Sequence, residues 1–237
     1  MEKTKFAGKE ENMDALALLK WADREYGPDA VFACSFGAED MVIFDLLACL
    51  QSRILIVTLD TGRLNQETYN LIEEVRKRYG IGIQHIYPDQ DELGSMVSEH
   101  GPNLFFESVE KRRMCCHVRK VAPLNRLLSG KKAWVTGIRR DQLFTRSNSA
   151  KVQEDHERGG IAKIAPLADW TYEMVWKYIR EKGIPYNRLF DRGYTSIGCE
   201  PCTRAVKAGE DPRAGRWYWE AGIKECGLHH AAMTGKE

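Results

Sequence analysis

No apolar run in this chain is long enough to cross a membrane: MVIFDLLACL is broken by Asp45, and RILIVTL is far short of the roughly 20 residues a spanning helix needs. No membrane partner is expected. Net charge is also nearly absent. The 35 basic side chains almost cancel the 34 acidic ones, leaving +1 and no overall field for gripping a nucleic-acid backbone, although a local basic patch can still hold a small anion. Nucleic acid is therefore excluded as a general partner. The opening MEKTKFAGKEENMD has no apolar stretch of the kind a secretory signal requires, so the expected location is cytoplasmic. Internal repeats and low-complexity segments are missing too. What remains is 237 residues, 43% hydrophobic and 29% charged, which is the composition of one ordinary soluble domain. A boundary is expected near Asp211-Pro212, giving a main domain over 1–211 and a tail over 212–237.

Cysteine is abundant for a chain of this kind. There are seven, and an odd number argues against a closed set of disulfides. Cys34 and Cys49 sit in the apolar runs VFAC and LLAC and read as buried, inert thiols. The adjacent pair Cys115-Cys116, the C-x-x-C of Cys199 and Cys202, and the lone Cys226 need another explanation.

Strand and helix patterns alternate along the chain. An opening helix over Met13–Tyr26 ends at Gly27-Pro28. It is followed by the strand AVFACS, a turn at Gly37 and a helix from Glu39 to about Leu50. The same order recurs with RILIVTLD and a helix from Asn65 to Tyr79, then with IGIQHIY and a helical stretch after Pro88. KKAWVTGI is a further strand, the segments flanking Gly159-Gly160 suit a small hairpin, and Thr171–Glu181 is a helix closed by Gly183. Such alternation predicts an α/β fold, a parallel twisted sheet flanked by helices.

In a sheet of that kind ligands collect beyond the carboxyl ends of the strands. The turn Ser35-Phe36-Gly37-Ala38-Glu39-Asp40 offers a hydroxyl, a glycine and a helix N-terminus, which suit a phosphate group. It is not a Walker loop, because G-x-x-x-x-G-K-[ST] is absent. Leu59-Asp60-Thr61-Gly62-Arg63 has a similar composition after the second strand, so Thr61, Gly62 and Arg63 join the candidate nucleotide contacts.

Four thiolates in two close pairs make a complete first shell for a metal group. Zinc sites usually space each pair by two or more residues, and adjacent ligands are awkward on one tetrahedral ion. In a 4Fe-4S cluster neighbouring cysteines can bind different irons, which favours iron. One cluster per chain is expected on Cys115, Cys116, Cys199 and Cys202, with Arg112, Arg113, Arg119 and Lys120 placed to offset its negative charge. Trp217, Tyr218 and Trp219 read as a packing anchor in preference to an adenine stack.

CC-x-x-RK, GYTSIG before the C-x-x-C, SFGAED, LDTGR, GIRRDQ with Arg146 beyond it, and the ending ECGLHH together resemble the assimilatory adenylyl-sulfate (APS) reductases, relatives of the 3'-phospho-APS (PAPS) reductases. The likeness runs from about Ala33 to His229 with the motifs in order. It implies an adenine-nucleotide α-hydrolase-like fold of the ATP pyrophosphatase type with a mobile C-terminal tail. The activity it implies is reduction of APS to sulfite and AMP, with electrons from thioredoxin or a similar dithiol protein. It places the phosphate loop on Ser35 to Asp40, the cluster ligands on the four paired cysteines and the nucleophile on Cys226, which would carry an S-sulfonate. It also places a lysine between cluster and substrate on Lys120, and sulfate-facing arginines among Arg139, Arg140, Arg146, Arg213 and Arg216. A homo-oligomer is compatible with the sequence.

Three other readings compete. A PAPS or dual-substrate reductase is the nearest, although PAPS-only relatives generally lack both cysteine pairs. An ATP-using tRNA thiolase on the same fold would carry an S-G-G-x-D-S loop, whereas Phe36 stands here in place of a glycine. A metal-stapled binding module would leave Cys226 incidental.

Overall fold

In the computed structural model, which describes Phe6, residues 8–142 and residues 146–221, the chain divides into two compact units. The first takes the residues up to Thr58, Glu67–His85 and Leu127–Asn187. The second takes Leu59–Gln66, Ile86–Arg126 and the chain from Arg188 onward. The turn at Asp211-Pro212 lies inside the second unit.

The sheet has six strands: β1 (Ala30–Ala33), β2 (Leu55–Leu59), β3 (Gln84–Ile86), β4 (Ala133–Val135), β5 (Val152–Asp155) and β6 (Ile161–Ile164). Their order is β3-β2-β1-β4-β6-β5. β1 pairs in parallel with β2 and β4, and β4 with β6, while β5 runs antiparallel to β6 as the expected hairpin. The central strands are buried on both faces, so β1 and β4 read as unbroken apolar runs without alternation.

Helices α1 (Ala15–Tyr26), α2 (Ala38–Cys49), α3 (Gln66–Tyr79) and α7 (Tyr172–Lys182) accompany this sheet. Asp14 caps α1 by accepting from Ala17 N–H at 2.7 Å, and Thr171 caps α7 through Met174 N–H. α2 is apolar nearly all round and buries nine of its twelve residues, as a central helix must. Its Asp45 is satisfied by two phenols, Tyr79 of α3 at 2.8 Å and Tyr178 of α7 at 3.0 Å. The expectation that Cys34 and Cys49 are both buried holds for the first alone. Cys34 is buried and burial pushes its thiol well up, but Cys49 is exposed because the last turn of α2 emerges there.

In the second unit lie α4 (Gln90–His100), α5 (Val109–Cys116) and, within that unit up to Arg126, α6 (Ala122–Leu128). α5 and α6 are joined without a break by a π-helical turn over His117–Val121. That helical segment carries the adjacent cysteines. A wide i→i+5 turn in mid-helix is rare and concentrates at functional sites. Among the described residues no helix is long and apolar enough to cross a membrane.

Candidate functional site

The strand order of the first unit turns about β1 and β4, the switch point where ligands of open α/β sheets bind. Two sequence-predicted segments meet there. Asp40 Oδ2 accepts from both the backbone N–H and the hydroxyl of Ser35, each at 2.6 Å, and Gly137 N–H also donates to its carboxylate. A Cβ on Gly137 would overlap Asp40 Oδ1, which explains the glycine that opens GIRRDQ. Burial, the largest influence on Asp40, raises its pKa to about 6 against those hydrogen bonds.

Beside it, Glu39 accepts from Arg139 Nε at 2.9 Å and from Gln142 Nε2 at 3.0 Å. Arg139 is buried and also pairs with Asp141. Arg140 pairs with Glu11 and donates to Ser149 O at 2.8 Å. Both guanidiniums are thus held by carboxylates of the chain itself, and Arg146 donates to Gln142 Oε1 at 2.6 Å. Gly37 starts α2 without a side-chain cap, leaving its first N–H groups to other acceptors. Phe36 is buried at φ 59°, a left-handed conformation that glycine adopts easily and a bulky residue rarely does. The backbone therefore keeps the shape of a glycine loop, and burial of the ring offsets the strain.

The second unit brings the four paired cysteines into one apolar cluster. Cys115, Cys199 and Cys202 are buried with Met96, Leu104, Phe105 and Trp217, and Cys116 packs against them. Backbone pairing builds this arrangement. Glu200 N–H donates to Arg63 O at 2.8 Å, and Trp217 N–H donates to Cys202 O at 3.1 Å, so the C-x-x-C turn is gripped on both sides. Thr61, Gly62 and Arg63 are joined to the cysteines here: Thr61 Oγ1 lies 3.3 Å from Cys199 Sγ, within hydrogen-bond reach, and also accepts from Arg63 N–H.

Cations surround the thiols. Arg119 donates to Thr61 O at 2.6 Å and reaches Cys115, Lys120 reaches Cys199, and Arg112 reaches Cys116. Arg216 is buried, with its guanidinium 4.7 Å from the Trp217 ring centroid and against Gly198, where any Cβ would overlap it. Burial opposes ionisation of Cys199, yet Lys120, the Thr61 hydroxyl and Arg216 together hold its thiol below the ordinary value. Burial, joined by the charge of Cys199, pushes Cys202 up to about 12. Arg213 lies on the preceding turn, where its N–H donates to Asp211 Oδ1 at 2.7 Å.

Whether these residues suit a metal group held by thiolates can be judged from their unused donors. Arg119 Nε, Arg216 Nε, Trp217 Nε1 and Trp219 Nε1 are buried without an acceptor. Buried N–H groups are normally paired, so such a surplus beside four cysteines fits an anionic guest. Among the described residues, no three of His, Cys, Asp and Glu are gathered tightly enough to grip a single metal ion. Cys226 lies outside the described residues. Sequence reasoning missed Gly137 as a requirement of Asp40, and Glu220, whose carboxylate meets Arg112 across 108 residues with no local signal. It read Trp217, Tyr218 and Trp219 as a packing anchor; Trp217 is fully buried, whereas Tyr218 is exposed.

A sheet that switches direction between β1 and β4, with an uncapped helix start at that point, defines a nucleotide-binding α/β protein. Residues 29–205 match the phosphoadenosine phosphosulfate reductase domain. An adenosine 5'-phosphosulfate reductase of Burkholderia cepacia is 50% identical over 230 residues, covering 96% of this chain and 90% of that one. One of Allochromatium vinosum is 49% identical over 224 residues, covering 94% and 87%. Among solved structures, the phosphoadenylyl-sulfate (PAPS) reductase of Candida auris, in a phosphate complex, matches with TM-score 0.70 at 27% identity, over 82% of this chain and 91% of that one. The chain belongs to the phosphoadenosine phosphosulfate reductase domain family.

Proposed function

We propose that this protein reduces adenylyl sulfate to sulfite and AMP in sulfate assimilation, in the cytoplasm, with thioredoxin or a similar dithiol protein as electron donor. The convergence of four cysteines and their surplus of buried cationic and N–H donors is the observation that carries this reading. It accounts for the cysteine pairs, which a reductase acting on PAPS alone does not need. Cys115, Cys116, Cys199 and Cys202 are the residues that would hold one 4Fe-4S cluster. Once bound, the cluster supplies fixed charge beside Lys120 and no reducing equivalents.

The adenylate phosphate is assigned to the turn from Ser35 to Asp40 at the start of α2. Ser35, Glu39 and Asp40 shape that turn through the bonds described above, and Phe36 and Gly37 present its backbone. The sulfate side is assigned to the neighbouring segment that carries Arg139, Arg140 and Arg146, whose planar guanidiniums suit bidentate contact with its oxygens. Lys120, Arg213 and Arg216 add positive charge for an anionic thiolate approaching an anionic substrate. The C-terminal segment over 212–237 carries Cys226. Its thiolate attacks the sulfur, the bond from sulfur to the bridging phosphate oxygen breaks, and AMP leaves with that electron pair. One thiolate of the dithiol then attacks Cys226 Sγ, sulfite departs with the electrons of the S–S bond, and the second thiol closes the donor's disulfide and frees Cys226.

Sulfite release from APS in the presence of a reduced dithiol protein tests this, and Cys226→Ser is expected to abolish it. Turnover by that variant at the wild-type rate overturns the nucleophile. Comparing APS with PAPS as substrate settles the choice between the two nucleotides, with APS expected to be preferred. A purified protein should be brown, with broad absorption near about 400 nm.

A further inference from the structure

The mechanism above leaves the buried ion pair of Arg112 and Glu220 unused. Arg112 of α5 and Glu220 make a bidentate contact, Nε to Oε1 and Nη2 to Oε2, both at 2.9 Å, with side chains 5% and 8% exposed. The same guanidinium lies 4.4 Å from the Trp217 ring centroid and within hydrogen-bonding reach of Cys116. Trp217 is therefore flanked by Arg112 and Arg216, and Glu220 N–H donates to Trp217 O at 2.8 Å. Trp217 takes φ 39°, so the chain enters this contact through a strained residue. A buried ion pair adds little net stability over a well-packed apolar pair of similar volume, so stability alone does not account for one at this position. Its place in the chain does: Glu220 is six residues before Cys226.

We propose that Arg112 and Glu220 are positioning residues, which tie the Cys116 side of the cysteine cluster to the point from which the chain leaves toward Cys226. Binding of the metal group and placement of the nucleophile are thereby linked through one guanidinium. The proposal rests on Cys226 being the nucleophile, and the test separates the two.

The deciding variant is the double substitution Arg112→Met with Glu220→Met, which removes both charges and leaves neither uncompensated. The expected result is a thermal midpoint at or above wild type and full iron content, yet a kcat lowered about ten- to a hundredfold with KM for APS nearly unchanged, the scale on which a misplaced reacting group registers. Alkylation of Cys226 by iodoacetamide, followed by peptide mass spectrometry so that exposed Cys49 is counted separately, should change by severalfold. Wild-type kcat and wild-type Cys226 alkylation in an iron-replete double variant overturn the proposal. If the double variant loses iron, Glu220→Gln, which keeps Arg112, decides by the same two readouts. Cys226→Ser serves as the control: full activity there sinks the functional reading itself, whereas a dead Cys226→Ser beside wild-type pair variants sinks only the positioning role.

Discussion

The switch point of the first unit and the cysteine cluster of the second surround their cations differently. At the β1–β4 switch point Arg139 is held by Glu39 and Asp141, and Arg140 by Glu11, so the first unit is largely neutralised by its own carboxylates. Around the cysteines Arg119, Lys120 and Arg216 face sulfur, and four buried N–H groups find no acceptor. Desolvating a cation without a compensating anion is costly, so the second arrangement makes physical sense with a negative guest in place. The first is more nearly closed, although Arg146 Nε is buried there without an acceptor as well. What distinguishes the second unit is that its unmatched donors converge on one group of side chains, the four cysteines.

The contrast breaks most sharply at a cysteine. Cys199→Ser removes the buried thiol that Lys120, Thr61 and Arg216 converge on, and is expected to cost the brown colour and more than ~100-fold in sulfite release, beyond what loss of a neighbouring partner usually costs a metal site. Wild-type iron content in that variant would show that the cations serve some other purpose. Removing iron from the intact protein should sharpen the same line, because a group bound by the native state alone stabilises what it touches. Amide hydrogen exchange is expected to accelerate at residues 61–64, 112–120 and 199–203, while Val31, Phe32, Trp134 and Val135 keep their protection. Equal acceleration in both sets would mean that the first unit also depends on the metal.

Within the first unit the expected effects on stability are smaller. Gly137→Ala drives a methyl into the Asp40 carboxylate and the three hydrogen bonds it accepts, which should cost about 3 kcal/mol, the upper end of ordinary overpacking. Denaturant unfolding of the variant measures this. A loss below about 0.5 kcal/mol would mean that Asp40 moves aside freely.

Much of this was legible in the chain. Alternating strand and helix patterns give the order of elements from α1 to α4 and the hairpin of β5 and β6, because burial on one or both faces imposes a period that the residues must respect. The cysteine pairs were legible because spacing constrains ligand chemistry. The helix carrying Cys115 and Cys116 was not assigned in advance: KRRMCCHVRK is too charged to show an apolar face, since Arg112 and Arg119 turn inward toward thiols while Arg113, expected beside the cluster, is exposed. Thr61 was placed at the nucleotide by composition, and its hydroxyl's contact with Cys199 across 138 residues left no local signal. Glu220 was invisible for the same reason, since a long-range ion pair leaves no trace in local pattern.

The smallest effect concerns Asp40 and acidity. Its pKa is raised from 3.8 to about 6, so between those values the folded protein binds a proton that the unfolded chain has released. A carboxyl shifted upward contributes stability that is present at low pH and disappears as pH rises through the folded pKa. Between pH 5 and pH 7 that loss amounts to about 1 kcal/mol. Asp40→Asn keeps an acceptor for Ser35 but cannot titrate. The difference in unfolding free energy between variant and wild type should therefore move by about 1 kcal/mol in the variant's favour over that interval, whatever its absolute value. Urea unfolding of both proteins at pH 5 and pH 7 supplies the four numbers needed. A difference independent of pH would mean that the Ser35 and Gly137 donors hold the carboxylate ionised throughout, and that the switch point carries a buried negative charge even in mild acid.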